Sequence, residues 1–417
     1  MQETSQVVRT QYMDCCDWNQ CIKCGDCLIK CPVMKMDKED AIFEITQLLK
    51  GEKAPTVFKH CTLCFNCNQY CPIEGLRPHE LILQRIIENR NGKIKKVLPY
   101  MINGMPSGSF FQDLYAKMTS EEQEILIKWE KIPPKSKDIL FIGCIGRLSC
   151  YDLENSKVLE SLPKFSPSDI CCGELAYRLC DWQSFSDIIE RTMKRFEKLD
   201  IERMVCYCAS CFNFLSSILP KVYGKKLDFK LISMYEWLLE KVESGELKLE
   251  NPLDYKVAIS ESCYVSELGP MFADNLRKIY KEAGAEVVEL ENHGTESLSC
   301  GFCSLGRSNI KVRNSIFTAH KKKYKQLKKS EAKMLALNCP GCRISLGLSL
   351  HNATKKLRYM AEDLLHAFGD DVTKPLNKRM GTLAGILIKR IFKLFKYDKY
   401  PLPRIPVEGS IYSWKDK

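Results

Sequence analysis

The sequence predicts an α+β multidomain chain, a helical and cysteine-dense N-terminal unit followed by two tandem α/β units. Three observations predict it: one cysteine cassette occurs twice near the N-terminus, short apolar runs ending in cysteine alternate with charged helical stretches, and the cysteines of the second half recur at a nearly fixed offset. With 417 residues the chain is long enough for two or three domains and a sizeable core. The expected organisation is a two-cassette domain over 1–95, a helical linker over 96–137, α/β units over 138–250 and 251–370, and a basic amphipathic tail over 371–417.

The chain carries 23 cysteines but only 6 histidines, so thiolates dominate any ligand set. The opening "MQETSQVVRTQYMDCCDW" is polar, with no apolar segment of a secretory signal, and no run of 18 apolar residues follows. A cytoplasmic, reducing location is therefore expected, where clustered thiols bind metal or catalyse rather than form disulfides. The formal net charge of +11 is by itself weak support for a polyanionic partner, and no nucleic acid is expected. No G-x-G-x-x-G or G-x4-G-K-[ST] loop is present, so a bound dinucleotide or nucleoside triphosphate is not expected and any flavin belongs to a partner.

"CIKCGDCLIKCP" holds Cys21, Cys24, Cys27 and Cys31, and forty residues later "CTLCFNCNQYCP" holds Cys61, Cys64, Cys67 and Cys71 at the same spacing. This is the C-x2-C-x2-C-x3-C-P run of two-cluster ferredoxins, in which the fourth cysteine ligates the other cluster. The expected ligands of one [4Fe-4S] cubane are Cys21, Cys24, Cys27 and Cys71; those of the other are Cys61, Cys64, Cys67 and Cys31. Two zinc sites are the alternative, with looser spacing. A radical C-x3-C-x2-C site is ruled out, because Met34 and Glu74 stand where its third cysteine belongs. The intervening "EDAIFEITQLLKG" has helical apolar spacing and a Lys-Gly ending suited to a C-cap, and "RPHELILQRIIENRNG" reads the same way.

From residue 138 the apolar runs "DILFIGC", "RMVCYCASC", "YKVAISESC" and "AKMLALNCPGC" each end on cysteine. As parallel strands they would gather sulfur at the carboxyl edge of a sheet, where open α/β folds bind ligands. A C-x2-C pair opening the next helix places thiolates at its positive end. The layout Cys144, Cys171-Cys172-Gly173, Cys208 and Cys211 recurs as Cys263, Ser299-Cys300-Gly301, Cys339 and Cys342, at offsets of 119, 128, 131 and 131 residues. Vicinal thiolates on one turn can bridge adjacent irons, and the glycine permits close backbone approach.

These motifs resemble the cysteine-rich CCG domain of the heterodisulfide reductase family, and a two-cluster ferredoxin domain ahead of two such domains resembles its catalytic subunit. Iron–sulfur subunits of glycolate oxidase, anaerobic glycerol-3-phosphate dehydrogenase and lactate-utilisation systems share that architecture. The resemblance, covering about residues 15–350, implies a noncubane [4Fe-4S] cluster held by five cysteines that cleaves a disulfide in one-electron steps. It implies a complete catalytic set here of Cys144, Cys171, Cys172, Cys208 and Cys211, although the first gap of 26 residues is shorter than the family's usual one. The second unit departs from the pattern: Ser299 replaces a cysteine and Cys303 is added, leaving Cys263, Cys300, Cys339 and Cys342. Those four suit a further [4Fe-4S] cubane acting as a relay, with a serine ligand or Cys303 as alternatives.

Cys15, Cys16, Cys150, Cys180 and Cys206 match no position of the pattern, and packing is the expected role; the vicinal Cys15–Cys16 fits it least. His60 and His293 lie near cluster cysteines, where a histidine can tune a cluster or donate a proton, but a lone histidine is more often a satisfied polar group, and that is the expected reading. In "KRMGTLAGILIKRIFKLFK", Met380, Leu383, Ala384, Leu387, Ile388, Ile391, Leu394 and Phe395 share helical spacing, with Lys389, Arg390, Lys393 and Lys396 near the other side. Such a helix docks on a membrane surface or an acidic partner, or packs on its own domain. Two functions follow as expectations. One is a disulfide reductase of the coenzyme M–coenzyme B heterodisulfide type, with a disulfide or thiol substrate. The other is an electron-transfer subunit serving a flavoprotein or membrane cytochrome b partner on the cytoplasmic face of the membrane and delivering electrons to a quinone or cytochrome.

Overall fold

Local capping signals lay out the N-terminal helices of the computed structural model, which describes residues 8–89, 93–95, 100–103, 109–307, 310–349, 356–394 and 397–399. After a short helix α1 (Asp26–Ile29) in the first cassette, Asp37 accepts the Asp40 N–H at 2.8 Å and starts α2 (Lys38–Lys50), which ends at Gly51 as the Lys-Gly signal predicts. Its Ala41, Ile45 and Leu48 face the core at i, i+4, i+7 spacing, while buried Glu44 reaches the next helix. There it accepts the N–H groups of Thr56 and Val57 at 2.7 and 2.9 Å, satisfying orphan donors of α3 (Pro55–His60). The second cassette carries α4 (Asn66–Tyr70), and α5 (Pro78–Asn89) follows where the second amphipathic run lies.

The strand-then-cysteine runs form two parallel sheets of four strands. The first contains β1 (Ser136–Phe141), β2 (Lys164–Phe165), β3 (Ile201–Cys206) and β4 (Lys230–Ser233) in the order β2-β1-β3-β4; between β2 and β3 lie α6 (Glu174–Arg178) and α7 (Trp182–Phe196), and α8 (Ala209–Asn213) follows β3. The second sheet repeats the order with β5 (Lys256–Ser260), β6 (Glu286–Val287), β7 (Met334–Leu337) and β8 (Leu357–Tyr359) as β6-β5-β7-β8. Here α9 (Ile310–Lys329) takes the place of α7, and α10 (Pro340–Ser349) that of α8. Central strands are buried on both faces, as their unbroken apolar runs require.

The N-terminal unit is joined to the second sheet unit by buried charge. Arg77 donates to Glu80 at 3.2 Å and to Glu267 at 2.9 Å, Asn68 donates to both carboxylates, and the Tyr177 hydroxyl donates to Glu80 at 2.5 Å. Burial alone would raise the Glu80 carboxyl, but Arg77 and His79 beside it hold it well below the usual carboxylate range.

The tail helix α11 (Met380–Leu394) buries Leu383 and Ile386, whereas Ile388 is 67% exposed. The apolar stripe drawn from sequence holds at Leu383 but included exposed Ile388 and omitted buried Ile386, and the helix packs on the chain's own helices, including α10. Arg379 and Lys374 are spent internally, both pairing with buried Glu122. Phe395 and Lys396 lie outside the described residues, as do the side chains of Met380, Leu387, Arg390, Ile391, Lys393 and Leu394. Among the described residues no helix is long and apolar enough to cross a membrane.

Candidate metal centres

The cysteine carried in from the second cassette lands in the first cavity. Cys21, Cys24, Cys27 and Cys71 together line one small cavity, with Ile45 and Leu76 also in its wall. Burial, then the charges of Cys71, Cys21 and Cys24, push the Cys27 thiol up. Cys31, from the first cassette, goes with the other group: burial and then the charges of Cys31 and Cys61 push Cys64 up to about 12, and burial with Cys61 and Cys64 pushes Cys67 up. Burial likewise pushes Cys31 up to about 11, with Cys61 adding to the rise. Thiols crowded in this way repel one another once ionised, so a polycationic metal core is what would let all four exist as thiolates.

In the first sheet unit, Cys144 follows β1, Cys171 and Cys172 precede α6, Cys208 caps α8 and Cys211 lies within it. The expected gathering at the carboxyl edge of the sheet is found. The Cys171 and Cys144 sulfurs are 4.0 Å apart. Hydrogen bonds with Cys144 and Cys172 pull the Cys171 thiol well down, assisted by the Gly173 N–H and the buried Arg191. Cys206, which closes β3, is 1% exposed and packs in the core, as do Cys150 and Cys180. Cys15 and Cys16 are only partly buried, and their sulfurs lie 3.3 Å apart.

The glycine of the CCG turn has a steric reason to be there. Gly173 adopts φ +84°, and a Cβ on it would meet the Phe185 ring of α7 at 2.7 Å; Gly301 adopts φ +62°, and its Cβ would meet Ile316 of α9 at 2.4 Å. The helix thus presses directly on the thiol-bearing turn. Gly173→Ala is expected to cost at least ~2 kcal/mol, from left-handed backbone strain and overpacking together. Thermal unfolding under anoxic conditions checks this, and an unchanged midpoint would refute it.

Two further residues fix the same turns, and no motif in the sequence marks them. The Thr192 hydroxyl donates to the Cys171 carbonyl at 2.9 Å, and His320 Nε2 donates to the Cys300 carbonyl at 2.8 Å. Each lies twenty residues after the second position of its Cys-Cys or Ser-Cys pair, a shared offset that is legible once the two units are aligned.

In the second unit Cys263, Cys300, Cys339 and Cys342 are all buried at the edge of their sheet, and a hydrogen bond from Cys342 lowers the Cys300 thiol to about 7. Ser299 does not join them. It is half-buried, its hydroxyl accepts the Gly301 N–H at 3.1 Å, and it lines an outer groove shared with His60, Cys64, Lys311 and Lys322. His293 donates to the Leu290 carbonyl at 2.7 Å and is satisfied locally.

The two sheet units meet at a buried polar node. Glu174 Oε1 accepts from Arg178 at 3.0 Å, from the Cys303 thiol at 3.1 Å and from the Tyr264 hydroxyl, and Oε2 accepts from Ser210. Arg178 also donates to Cys263 Sγ at 3.2 Å and to the Leu63 carbonyl of the second cassette. One guanidinium therefore ties all three units together. Thiol charges run on between the groups: Cys27 acts on Cys67, Cys263 on Cys64, and Cys208 on Cys339.

Among the described residues no group of three or more His, Cys, Asp or Glu side chains stands close enough to hold a single metal ion. The donors are spread around a cavity and along two sheet edges. Buried all-sulfur sets of this kind suit iron–sulfur chemistry, with soft ligands offsetting a multi-iron charge.

The comparisons with known proteins agree. Residues 17–74 match the 4Fe-4S dicluster domain, and residues 139–216 and 257–347 each match the cysteine-rich CCG domain. Similar curated proteins include the probable iron–sulfur-binding oxidoreductase FadF of Bacillus subtilis, 22% identical over 58% of this chain and 36% of its own length. The EtfAB:quinone oxidoreductase of Syntrophomonas wolfei is 20% identical over 79% of this chain and 55% of its own. One component of the dihydromethanophenazine:CoB–CoM heterodisulfide reductase of Methanosarcina barkeri is 20% identical over 82% of this chain and 91% of its own. The chain thus spans only about a third and about half of the first two relatives.

Proposed function

The chain belongs to the CCG-domain iron–sulfur oxidoreductase family, with iron–sulfur clusters as its cofactors, and from that premise we propose that it takes electrons in through two N-terminal [4Fe-4S] cubanes and reduces a disulfide at the first CCG unit. The observation that carries this reading is the complete five-thiol set, with Cys171 and Cys172 side by side on the turn pressed by α7. Each cluster supplies one-electron steps, so that disulfide, two electrons and two protons become two thiols. The chain's own residues do the rest. Cys144, Cys171, Cys172, Cys208 and Cys211 would hold a noncubane [4Fe-4S] cluster, Thr192 and Gly173 fix the turn, and all but Cys144 lie buried in the packed core.

The order of thiol neighbours supports a route from Cys21, Cys24, Cys27 and Cys71 to Cys31, Cys61, Cys64 and Cys67. From there it continues to the second CCG unit and then the first. A heterodisulfide of the coenzyme M–coenzyme B type is the substrate suggested by the Methanosarcina relative. The second reading, electron transfer from a flavoprotein partner to a quinone or membrane cytochrome, is favoured by the Syntrophomonas relative's name and by the loss of a cysteine at Ser299. Both readings place redox partner subunits on this chain, and the tail helix with its exposed Ile388 and Lys389 is the surface offered to a partner or membrane.

Electron paramagnetic resonance of the oxidised, anoxically purified protein separates the two readings. With an isotope-labelled thiol, a new paramagnetic species with broadened lines is expected. An unchanged spectrum from protein with its iron sites filled would overturn disulfide reduction and leave the conduit.

A further inference from the structure

We propose that Cys303 replaces the cysteine lost at Ser299, so that the second CCG unit holds its own cluster through Cys263, Cys300, Cys303, Cys339 and Cys342. The inference rests on the iron–sulfur reading and deepens it.

Position 299 has left the site. The hydroxyl of Ser299 is engaged in its own turn with the Gly301 N–H, and the residue lines the outer groove, whereas its counterpart Cys171 is 5% exposed with a sulfur 4.0 Å from that of Cys144. Cys303 has moved inward instead. It is 3% exposed, and Cys300-Gly-Phe-Cys303 forms a C-x2-C hook like Cys339-x2-Cys342. A hook of this kind places two sulfurs around one metal body from a single turn.

Cys303 and Cys263 also converge on the same ion pair. Cys303 bonds Glu174 Oε1 at 3.1 Å, Arg178 bonds that same oxygen at 3.0 Å, and Arg178 bonds Cys263 Sγ at 3.2 Å. The thiols at 303 and 263 are therefore gathered at one buried Glu174–Arg178 pair.

Buried cations supply the independent argument. Lys323 of α9 is 2% exposed; its ammonium donates to the Ser260 hydroxyl, and among the described residues it makes no ion pair. The charges acting on it in that core include those of Cys342 and Cys300. Buried Glu261 also acts on it but is hydrogen-bonded by Arg277, so beside neutral thiols the ammonium would have no counter-charge of its own. Beside thiolates bound to a metal cluster it has its counter-charge. Arg178 does the same for Cys263 and Cys303 from the opposite side, since Glu174 alone is one carboxylate shared among four donors. Two buried cations, Lys323 and Arg178, thus lie beside the thiols of this unit.

The test compares full-length protein, purified anoxically, as wild type, Ser299→Ala, Cys300→Ala, Cys303→Ala and Cys303→Ser. The readouts are iron and acid-labile sulfide content with Mössbauer and electron paramagnetic resonance spectra. Cys303→Ala is expected to lose or reshape the same signal that Cys300→Ala loses, a change of up to about four irons per chain. The Cys303→Ser variant is expected to shift that signal, and Ser299→Ala to leave it intact. The remaining cluster signals report that each variant is folded. A wild-type spectrum and iron content in both Cys303 variants would overturn the proposal, and so would a signal that follows Ser299 instead. Wild-type protein without any iron–sulfur signal would instead overturn the family-level reading on which the inference rests.

Discussion

Arg178→Met is expected to destabilise the protein by about 3–5 kcal/mol, the usual consequence of removing one partner from a buried ion pair. The guanidinium is fully enclosed and donates to Glu174, to Cys263 Sγ and to the Leu63 carbonyl, which belong to three different units. Methionine fills much of the volume but leaves the Leu63 carbonyl and one side of Glu174 without a donor in a dry environment. Because a domain's whole stability is only about 5–15 kcal/mol, the loss is a large share of it. Anoxic denaturant titration of wild type, Arg178→Met and Arg178→Lys measures the effect. The lysine variant keeps the charge but not the fork, and it should fall between the other two. A methionine variant within ~0.5 kcal/mol of wild type would show that the three units are held together by apolar packing alone.

Cys71→Ala is expected to abolish the first cubane, the one whose other ligands lie in the opposite cassette. Cys71 lines the cavity of Cys21, Cys24 and Cys27, so its removal opens that site and spares the group of Cys31, Cys61, Cys64 and Cys67. The spectrum of Cys71→Ala should superimpose on that of Cys21→Ala, with about four irons lost in each. It should differ from that of Cys61→Ala. Were Cys71→Ala to match Cys61→Ala instead, each cassette would serve its own cluster and the crossed assignment would be wrong.

The legible part of this protein was what spacing encodes. The doubled C-x2-C-x2-C-x3-C-P run, the strand-then-cysteine runs and the repeated pair before glycine foreshadowed the two cassette helices and the two sheets of identical order. Even the α2 stop at Gly51 was written locally. What stayed hidden depends on residues far apart in the chain. Glu174, Ser210, Tyr264 and Cys303 span 129 positions, and no periodicity links them. That Ser299 lines an outer groove while Cys303 is buried shows only in three dimensions, not by motif counting. The tail stripe was right at Leu383 but took in exposed Ile388 and missed buried Ile386, because neighbouring helices, not the helix itself, decide which side is buried.

The crossing of cassettes also dictates an order of manufacture. As the chain leaves the ribosome, Cys21, Cys24 and Cys27 emerge long before Cys71, and Cys31 before its companions at 61, 64 and 67. With the proposed crossed ligation, neither N-terminal cluster could be finished while only the first cassette is outside. Both become possible within the same ten-residue window, once the second cassette has been synthesised and α4 has folded back against α1. Iron delivery to the two proposed centres would thereby be coupled in time, and a chain truncated between the cassettes would hold three-thiol and one-thiol fragments rather than one working half.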